Sequence, residues 1–385
     1  MMRDKRTSAA KTVKSAQITC VRIVLVALLP VLLPAVVLAQ TKDPRTRLSL
    51  AELESRARRD SLDPDAQYFL ALGYARKKRW DDEARALRAA LAINPRYTPA
   101  YVALSFTPFQ RRSSLGREVE RGKVPMEWRD SLVESRRLLH HAFLIDPLAE
   151  LEPPDIDQRR EGISHVALSL ELLRRYGSRP LDSLPPWVLW YQGMRAARTG
   201  RLEWAIKNFQ ALVRRAEAIE RDSIMPFPVG TNDYRYVLAV LYDRQGWPGD
   251  AIALYQQILG GDLGFFMAHT RLARLYRNQR MWTEAVLEAQ RAVETNPEDA
   301  TTRRELGEIL LAANRLQEAE VTVREAVAMN GRDLGTQYVL GVILAVSGQN
   351  DEARVALKRF LTYAPHSLYQ AQLTDAKQRL AALPP

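Results

Sequence analysis

The chain of 385 residues contains a single cysteine, Cys20, and this scarcity excludes two ways of stabilising a fold. One thiol can neither form a disulfide within the chain nor supply the thiolate cluster of a structural metal site. Cys20 also precedes the first apolar run, whereas the acceptor cysteine of a lipoprotein follows such a run. We therefore expect a fold held together by packing, with no lipid anchor at Cys20.

Motifs for catalysis are also missing. The sequence has no glycine-rich phosphate loop and no nucleophile elbow. Its five histidines include the adjacent pair His140 and His141. On a helix these two side chains would point about 100° apart and could not grip one metal ion together. We predict no catalytic residue, no metal site and no cofactor.

One enzymatic alternative stays open. Residues 105–186 could form a catalytic module carried by the rest of the chain, with a pocket lined by His140, His165 and Asp157. The same stretch lacks a convergent set of acid, base and nucleophile. The non-enzymatic interpretation is therefore preferred.

No segment concentrates basic charge, although the formal net charge is +11. Removal of residues 1–39, which hold six bases and one acid, would leave a net charge of +6. Arginine pairs such as Arg303-Arg304 are scattered and mixed with acids, which is typical of solvated helix faces. Binding of nucleic acid would need a concentrated basic stripe, so we predict no nucleic-acid partner.

The N-terminus has the layout of a secretory signal peptide. Basic residues precede an uncharged apolar run, Ile23–Leu38, and small or β-branched residues occupy the −3 and −1 positions of a cleavage site after Ala39. An uncleaved anchor formed by residues 21–39 is the alternative, although the run is short for a bilayer span. We expect an exported protein of the periplasm or cell envelope, which contacts a membrane only if the leader is uncleaved.

What the chain does have is internal repetition. Alanine recurs every 34 residues at Ala251, Ala285, Ala319 and Ala353. Leucine recurs with the same period ahead of these alanines, at Leu238, Leu272, Leu306 and Leu340. A fixed period of this length is typical of a solenoid of stacked units. Each unit cannot bury its apolar face alone, so neighbours stack, and the stack leaves a long groove.

One unit, Met267–Pro297, gives the clearest local prediction. Leu272 and Tyr276 share a helical face, and Ala285 begins a second amphipathic stretch. Pro297 closes the unit, because the residue before a proline is pushed out of the helical conformation. Alanine lets the two helices of a unit approach closely, and a larger side chain there would cost about 1–3 kcal/mol.

These residues resemble the tetratricopeptide repeat family. The apolar–glycine pair of that family stands at Leu306-Gly307 and Leu340-Gly341, its aromatic at Tyr242 and Tyr276, and its closing proline at Pro297 and Pro365. The resemblance is most specific in the last four units. It implies an all-α fold, an α-solenoid or superhelix of helix-turn-helix repeats, which binds other proteins and carries no catalysis of its own.

The pattern divides the chain into five segments: a signal peptide at 1–39, degenerate N-terminal units at 40–147, a proline-bounded connecting segment at 148–186, a repeat array at 187–366 and a capping helix at 367–385. Within the N-terminal units, an insertion loop at 107–124 is predicted to delay the second helix of one unit to Ser135–Ile145.

The resemblance also implies a binding surface, because first-helix positions around the apolar–glycine pair face the concave side of such a solenoid. Carried over to this chain, they form a peptide-binding groove lined by Trp190, Met194, Arg198, Tyr236, Arg244, Thr270, Arg274, Arg277, Arg304 and Tyr338. Arginine binds carboxylates bidentately, so we expect the groove to receive an acidic or carboxylate-ended segment. Lys and Asn of the family's carboxylate-clamp members are not matched, and ordinary exposed residues are the alternative interpretation.

The sequence therefore predicts a non-enzymatic scaffold of the cell envelope that binds segments of other proteins in the groove of a solenoid. Two alternatives remain: an enzyme with a non-repeat module at 105–186, and a membrane-anchored assembly factor that keeps its leader.

Overall fold

A computed structural model of the chain describes residues 44–110, 129–149, 171–222 except 173, and 230–384. These residues form α-helices and short 3-10 turns, with no strand among them, which confirms the all-α fold class. The helices are α1 Leu50–Arg59, α2 Pro64–Arg76, α3 Trp80–Ile93, α4 Thr98–Gln110, α5 Arg129–Ile145, α6 Pro186–Arg198, α7 Leu202–Asp222, α8 Thr231–Gln245, α9 Pro248–Gly261, α10 Phe266–Asn278, α11 Trp282–Thr295, α12 Ala300–Ala312, α13 Leu316–Met329, α14 Leu334–Val346, α15 Asn350–Tyr363 and α16 His366–Ala382.

Helices α2 to α15 form antiparallel pairs of sequence neighbours, from α2 with α3 to α14 with α15. From α6 onward, the second helix of each pair also packs against the first helix of the next pair. Helix α16 packs on α15, at the place predicted for a capping helix, and α1 packs on α2. This stacking is that of an α-solenoid, as predicted.

Close approach within each pair explains the repeated alanines. Ala251, Ala285, Ala319 and Ala353 lie in the second helices and are all 0% exposed. Glycine serves the same purpose in the first helices, where a Cβ on Gly341 would come within 2.8 Å of the Leu357 side chain. Small residues thus lie at the contact between the two helices of these pairs, where the backbones come close together.

The turn between the two helices of a pair needs a left-handed backbone, and its position repeats with the same period as the alanines. Gly246, Arg280, Asn314 and Gly348 all have a positive φ, between 60 and 83°. Glycine adopts this conformation without steric cost, and asparagine tolerates it better than most residues. Arg280 therefore holds a strained position that a neighbouring unit fills with glycine.

Two predicted boundaries in the N-terminal units differ from the structure. Helix α4 continues to Gln110, so Thr107 and Pro108 are helical and do not begin the predicted insertion loop. Helix α5 starts at Arg129 rather than Ser135, and Val133 in this earlier part of the helix is 68% exposed. The rest of the predicted loop lies outside the described residues.

The signal peptide predicted at 1–39 and most of the connecting segment at 148–186 also lie outside the described residues. The end of that segment contains a 3-10 turn, Leu181–Ser183, and its last residue begins α6. Each helix among the described residues is too short or too polar to span a bilayer. The division of the chain into five segments stays a prediction.

The N-terminal helices, α1–α5, do not extend away from the repeat array, α6–α16, but lie along it in the opposite direction. As the residue number rises along the N-terminal part, the residue number of its contact in the array falls. The pairs are Leu62 with the cluster around Leu334, Ala92 with Asn330, Arg96 with Glu305, Ile145 with Arg271, and Leu148 with Arg198. The solenoid thus curls back on itself.

A substitution in the alanine series tests the close packing of each pair. We expect Ala319→Leu to lower the free energy of unfolding by about 1–3 kcal/mol, because the larger side chain must separate α12 from α13. The matched control is Val321→Leu in the same helix, where the side chain is 59% exposed and the change should stay within about 0.5 kcal/mol. Urea unfolding followed by circular dichroism measures both, and equal stability of the two variants would contradict the packing account.

Arg280 gives a second test. We expect Arg280→Gly to be more stable than Arg280→Ala by about 1 kcal/mol, because both changes remove the same side chain but only glycine relieves the left-handed strain. Thermal unfolding compares the two variants directly. If alanine were as stable as glycine at this position, the repeated turn geometry would be wrong.

Candidate functional site

The inner face of the array is the side of α6, α8, α10 and α12 that the N-terminal helices contact. Two charged residues lie on this face: Arg271 on α10 is half-buried, and Glu305 on α12 is buried. They occupy the same position in consecutive repeats. That repeat position holds Val237 in the unit before and Val339 in the unit after. Charged residues have therefore replaced the usual apolar one in two consecutive units, where the N-terminal helices approach.

The first cluster on the inner face binds the C-terminal end of α5. The Tyr236 hydroxyl donates to the carbonyl oxygen of Leu144 at 2.6 Å and accepts from Nε of Arg271 at 2.7 Å. Nη2 of Arg271 also donates to the carbonyl oxygen of Ile145 at 3.2 Å. Because the last carbonyls of a helix are unpaired and carry partial negative charge, a guanidinium is a favourable partner for them.

Aromatic packing supports this cluster. The Phe143 ring of α5 lies with its centroid 6.2 Å from Trp190 and 6.0 Å from Tyr236. Burial raises the pKa of the Tyr236 hydroxyl, so the group stays protonated and donates a hydrogen bond to the Leu144 carbonyl oxygen of α5. A second arginine, Arg198, donates from Nε to the carbonyl oxygen of Leu148 at 3.0 Å. Main-chain oxygens beyond α5 are thus also held by the array.

The second cluster holds Arg96, which follows α3. Nη1 of Arg96 donates to Oε1 of Glu305 at 2.7 Å, and Nη2 lies 3.4 Å from Oδ2 of Asp299 and 3.1 Å from the Thr302 hydroxyl. Arg274 donates to the same Glu305 oxygen at 2.5 Å. The acidic groups belong to the array, and one of the two arginines that meet at Glu305 belongs to the N-terminal helices.

Charge and burial oppose each other at these carboxylates. Burial alone would raise the pKa of Glu305, but Arg96, Arg274 and Arg304 together hold it below its ordinary value. Burial has the same opposing effect on Asp299, and Arg96 and the hydrogen bond from Thr302 bring its pKa below the ordinary value. Both groups are therefore ionised at neutral pH and bind the guanidinium as charged acceptors.

The predicted groove residues fall into three groups by exposure. Met194, Tyr236 and Thr270 are buried, because neighbouring helices pack over them, and they do not line an open surface in this conformation. Trp190, Arg274, Arg277, Arg304 and Tyr338 are partly exposed, whereas Arg198 and Arg244 are exposed. Peptide binding by this set stays a prediction.

Several of the predicted groove residues already have partners within the chain. Nη1 of Arg304 lies 2.8 Å from Oε1 of Glu308, and Nη1 of Arg277 lies 4.0 Å from Oε2 of the same residue. The Tyr338 hydroxyl donates to Asp375 of the capping helix at 2.7 Å. Internal carboxylates thus neutralise part of the positive charge that the sequence offers to a partner.

Sequence reasoning missed Arg96, Arg271, Asp299 and Glu305. The sequence did contain a signal for Arg271 and Glu305, because each replaces the valine that flanking units have at the same repeat position. Arg96 gave no comparable signal, because its partner Glu305 is 209 residues away along the chain.

The structure offers little for the enzymatic alternative among the residues that it describes. No group of three or more His, Cys, Asp or Glu side chains in those ranges could hold a metal ion. Of the three proposed pocket residues, His165 and Asp157 lie outside the described ranges. The third, His140, has its ring 6.3 Å from that of Phe143.

One family model and several solved structures are similar to parts of this chain. The tetratricopeptide repeat family model matches residues 270–333. Similar solved structures include MamA 41-end from Desulfovibrio magneticus RS-1, with 16% identity, 46% of this chain and 94% of that chain covered, and a TM-score of 0.40. Another is TTC0263, a thermophilic TPR protein in Thermus thermophilus, with 17% identity, 52% and 98% coverage, and a TM-score of 0.36. No curated protein matches the chain.

The matched residues span most of α10 to α13, the two units in which the inner face carries its charges. The match identifies tetratricopeptide repeats at residues 270–333. The constant period and the stacked helix pairs continue the same arrangement through the rest of the array.

Two neighbouring tyrosines allow the α5 contact to be tested. Tyr236 and Tyr255 are both 0% exposed, but the Tyr255 hydroxyl has no hydrogen-bond partner among the described residues. We expect Tyr236→Phe to cost about 1–3 kcal/mol, because it leaves a carbonyl and a guanidinium donor unsatisfied. Tyr255→Phe should cost nothing or stabilise slightly. Denaturant unfolding measures both changes, and a harmless Tyr236→Phe would mean that the hydroxyl does not hold α5.

Proposed function

We propose that this protein is a non-enzymatic scaffold that binds segments of other proteins along the inner face of its repeat array. The observation that carries the proposal is the way in which the array holds the end of α5. Arg271, Tyr236 and Arg198 all donate to main-chain carbonyl oxygens there, and such contacts need no particular side chain on the bound segment. A surface of this kind suits partner segments of varied sequence.

The chemistry of the donors supports the finer proposal of an acidic or carboxylate-ended partner. A carboxylate and the end of a helix both present several oxygens with negative charge, and guanidinium groups bind either. Arg244 is exposed, and no ion pair of Arg244 occurs within the described ranges. Arg277 is only partly exposed and lies 4.0 Å from its nearest carboxylate, so this pair is weak. These two arginines are the best placed to receive a new carboxylate.

A charge reversal with a matched control tests this proposal. We expect Arg244→Glu with Arg277→Glu to weaken binding of acidic peptides with a free C-terminal carboxylate by at least about tenfold, since attraction becomes repulsion. The control is Arg59→Glu with Arg85→Glu, which makes the same change of net charge on exposed side chains of the N-terminal helices. Fluorescence anisotropy on a panel of peptides measures the effect. Equal binding by the two double variants would remove the carboxylate proposal.

We also propose that the protein is exported and works in the periplasm or cell envelope. The proposal rests on the layout of residues 1–39, which combines a basic region, an apolar run and a cleavage site after Ala39. Mass spectrometry of the protein from its native host should give a mature N-terminus at Gln40. A chain that keeps residues 21–39 in the membrane fraction would instead favour the anchored alternative.

A further inference from the structure

The side chain of Arg96 is seated in a site made entirely by α12 and the residue before it. Its guanidinium contacts a carboxylate from Glu305, a carboxylate from Asp299 and the hydroxyl of Thr302. The Arg96 side chain is only 14% exposed, although the turn that carries it is at the tip of the α3–α4 connection. The contact is therefore a single inserted side chain and not a packed helix face.

The array holds this site in position without help from Arg96. Oδ1 of Asp299 caps α12 by accepting from the Thr301 amide at 2.8 Å, and Oδ2 accepts from the Thr302 hydroxyl at 2.6 Å. Arg274 fixes Oε1 of Glu305 from the neighbouring helix. The acceptors are thus oriented before a guanidinium arrives, which lowers the entropic cost of binding one.

The site also has unused acceptor capacity. Glu305 is buried, and its second oxygen, Oε2, accepts no hydrogen bond from any described residue. A buried carboxylate oxygen without a partner is unfavourable, and a guanidinium placed slightly differently from that of Arg96 could satisfy it. Arg96 is therefore an adequate but incomplete occupant.

The aspartate and threonine of this site recur in the next repeat and also meet an arginine, although Val339 stands there in place of Glu305. Asp333 caps α14, and its Oδ2 accepts from the Thr336 hydroxyl at 2.7 Å. Nε of Arg304 lies 3.6 Å from that oxygen. Aspartate followed by threonine three residues later, at the start of a first helix, thus lies beside a guanidinium in two consecutive units.

We propose that Asp299, Thr302 and Glu305 form a guanidinium-binding site of the array, which Arg96 fills within the chain and which an arginine of a partner segment fills in its place. The proposal rests on the protein-binding function proposed above and adds a second chemistry to it, a basic side chain beside the acidic or carboxylate-ended segment. Binding of the partner arginine requires the α3–α4 connection to leave, so the N-terminal helices compete with the partner.

Competition by a tethered group predicts how affinity changes. A side chain held near its site by the same chain acts at an effective concentration of the order of millimolar or above. A free segment of equal intrinsic affinity therefore binds the intact protein with an apparent dissociation constant raised by the ratio of closed to open molecules. Removal of Arg96 weakens this competition and leaves the acceptors in place.

The test uses the purified full chain and a labelled peptide that copies its own segment Ala92–Pro99, acetylated and amidated to remove terminal charges. We expect Arg96→Ala to bind this peptide at least about tenfold more tightly than the unaltered chain. Addition of Glu305→Gln to Arg96→Ala should reverse the gain, and so should replacement of the arginine by alanine in the peptide. Circular dichroism verifies the fold of each variant, and the uncharged Arg96→Gln replaces Arg96→Ala if the latter does not fold.

Equal affinity of Arg96→Ala and the unaltered chain would overturn the proposal. Tight binding that persists after Glu305→Gln is added to Arg96→Ala would also overturn it. The result is separate from the carboxylate test, because the peptide has no free carboxylate and neither Arg244 nor Arg277 belongs to this site. Arg244→Glu with Arg277→Glu, combined with Arg96→Ala, should keep the gain in affinity. Unchanged binding of the acidic peptides with this gain retained would contradict the proposed carboxylate partner and not the guanidinium site.

Discussion

The close approach of two helices at a small residue is the constraint on which the rest of the structure depends. Ala251, Ala285, Ala319 and Ala353 are fully buried in the second helices, where a larger side chain would force the pairs apart. Because the same spacing recurs in each repeat, each pair presents the same apolar flank to the next, and the units stack in one direction. The stack then places the first helices side by side, so that residues one period apart become neighbours on a single face.

On this inner face, two residues differ from the type that the repeat has at their position. Arg271 and Glu305 occupy a position that is valine in the flanking units, and each is used to hold a part of the N-terminal helices. Burying a charge is costly unless it is paired and hydrogen-bonded, and here the partners are a helix end on one side and two guanidinium groups on the other. The charges give the docking of the N-terminal helices a defined register, because a shift along the array would leave them unpaired.

Local features of the fold could be predicted from the sequence, and contacts between distant parts could not. The period predicts the helix pairs of the array, the buried alanines and the turns, because each depends on residues within one unit. The predicted start of α5 is too late, since the apolar Val133 in its first part is exposed and does not continue the buried face of the helix. Pro108 lies inside α4, near its end. The groove residues were predicted from the repeat pattern alone, which does not reveal that α5 buries Tyr236. The ion pair of Arg96 with Glu305 could not be predicted either, because the two residues are far apart along the chain.

The central claim is that the N-terminal helices lie against the inner face of the array in solution. Ala92 and Arg332 are both exposed, and the carbonyl oxygen of Ala92 accepts from Asn330 at 3.0 Å. With Cys20 changed to serine, spin labels on Ala92→Cys and Arg332→Cys allow the separation to be measured by pulsed electron resonance. The account predicts one narrow distribution at short distance. A broad distribution at long distance would mean that the solenoid is open and that its first units do not cover the inner face.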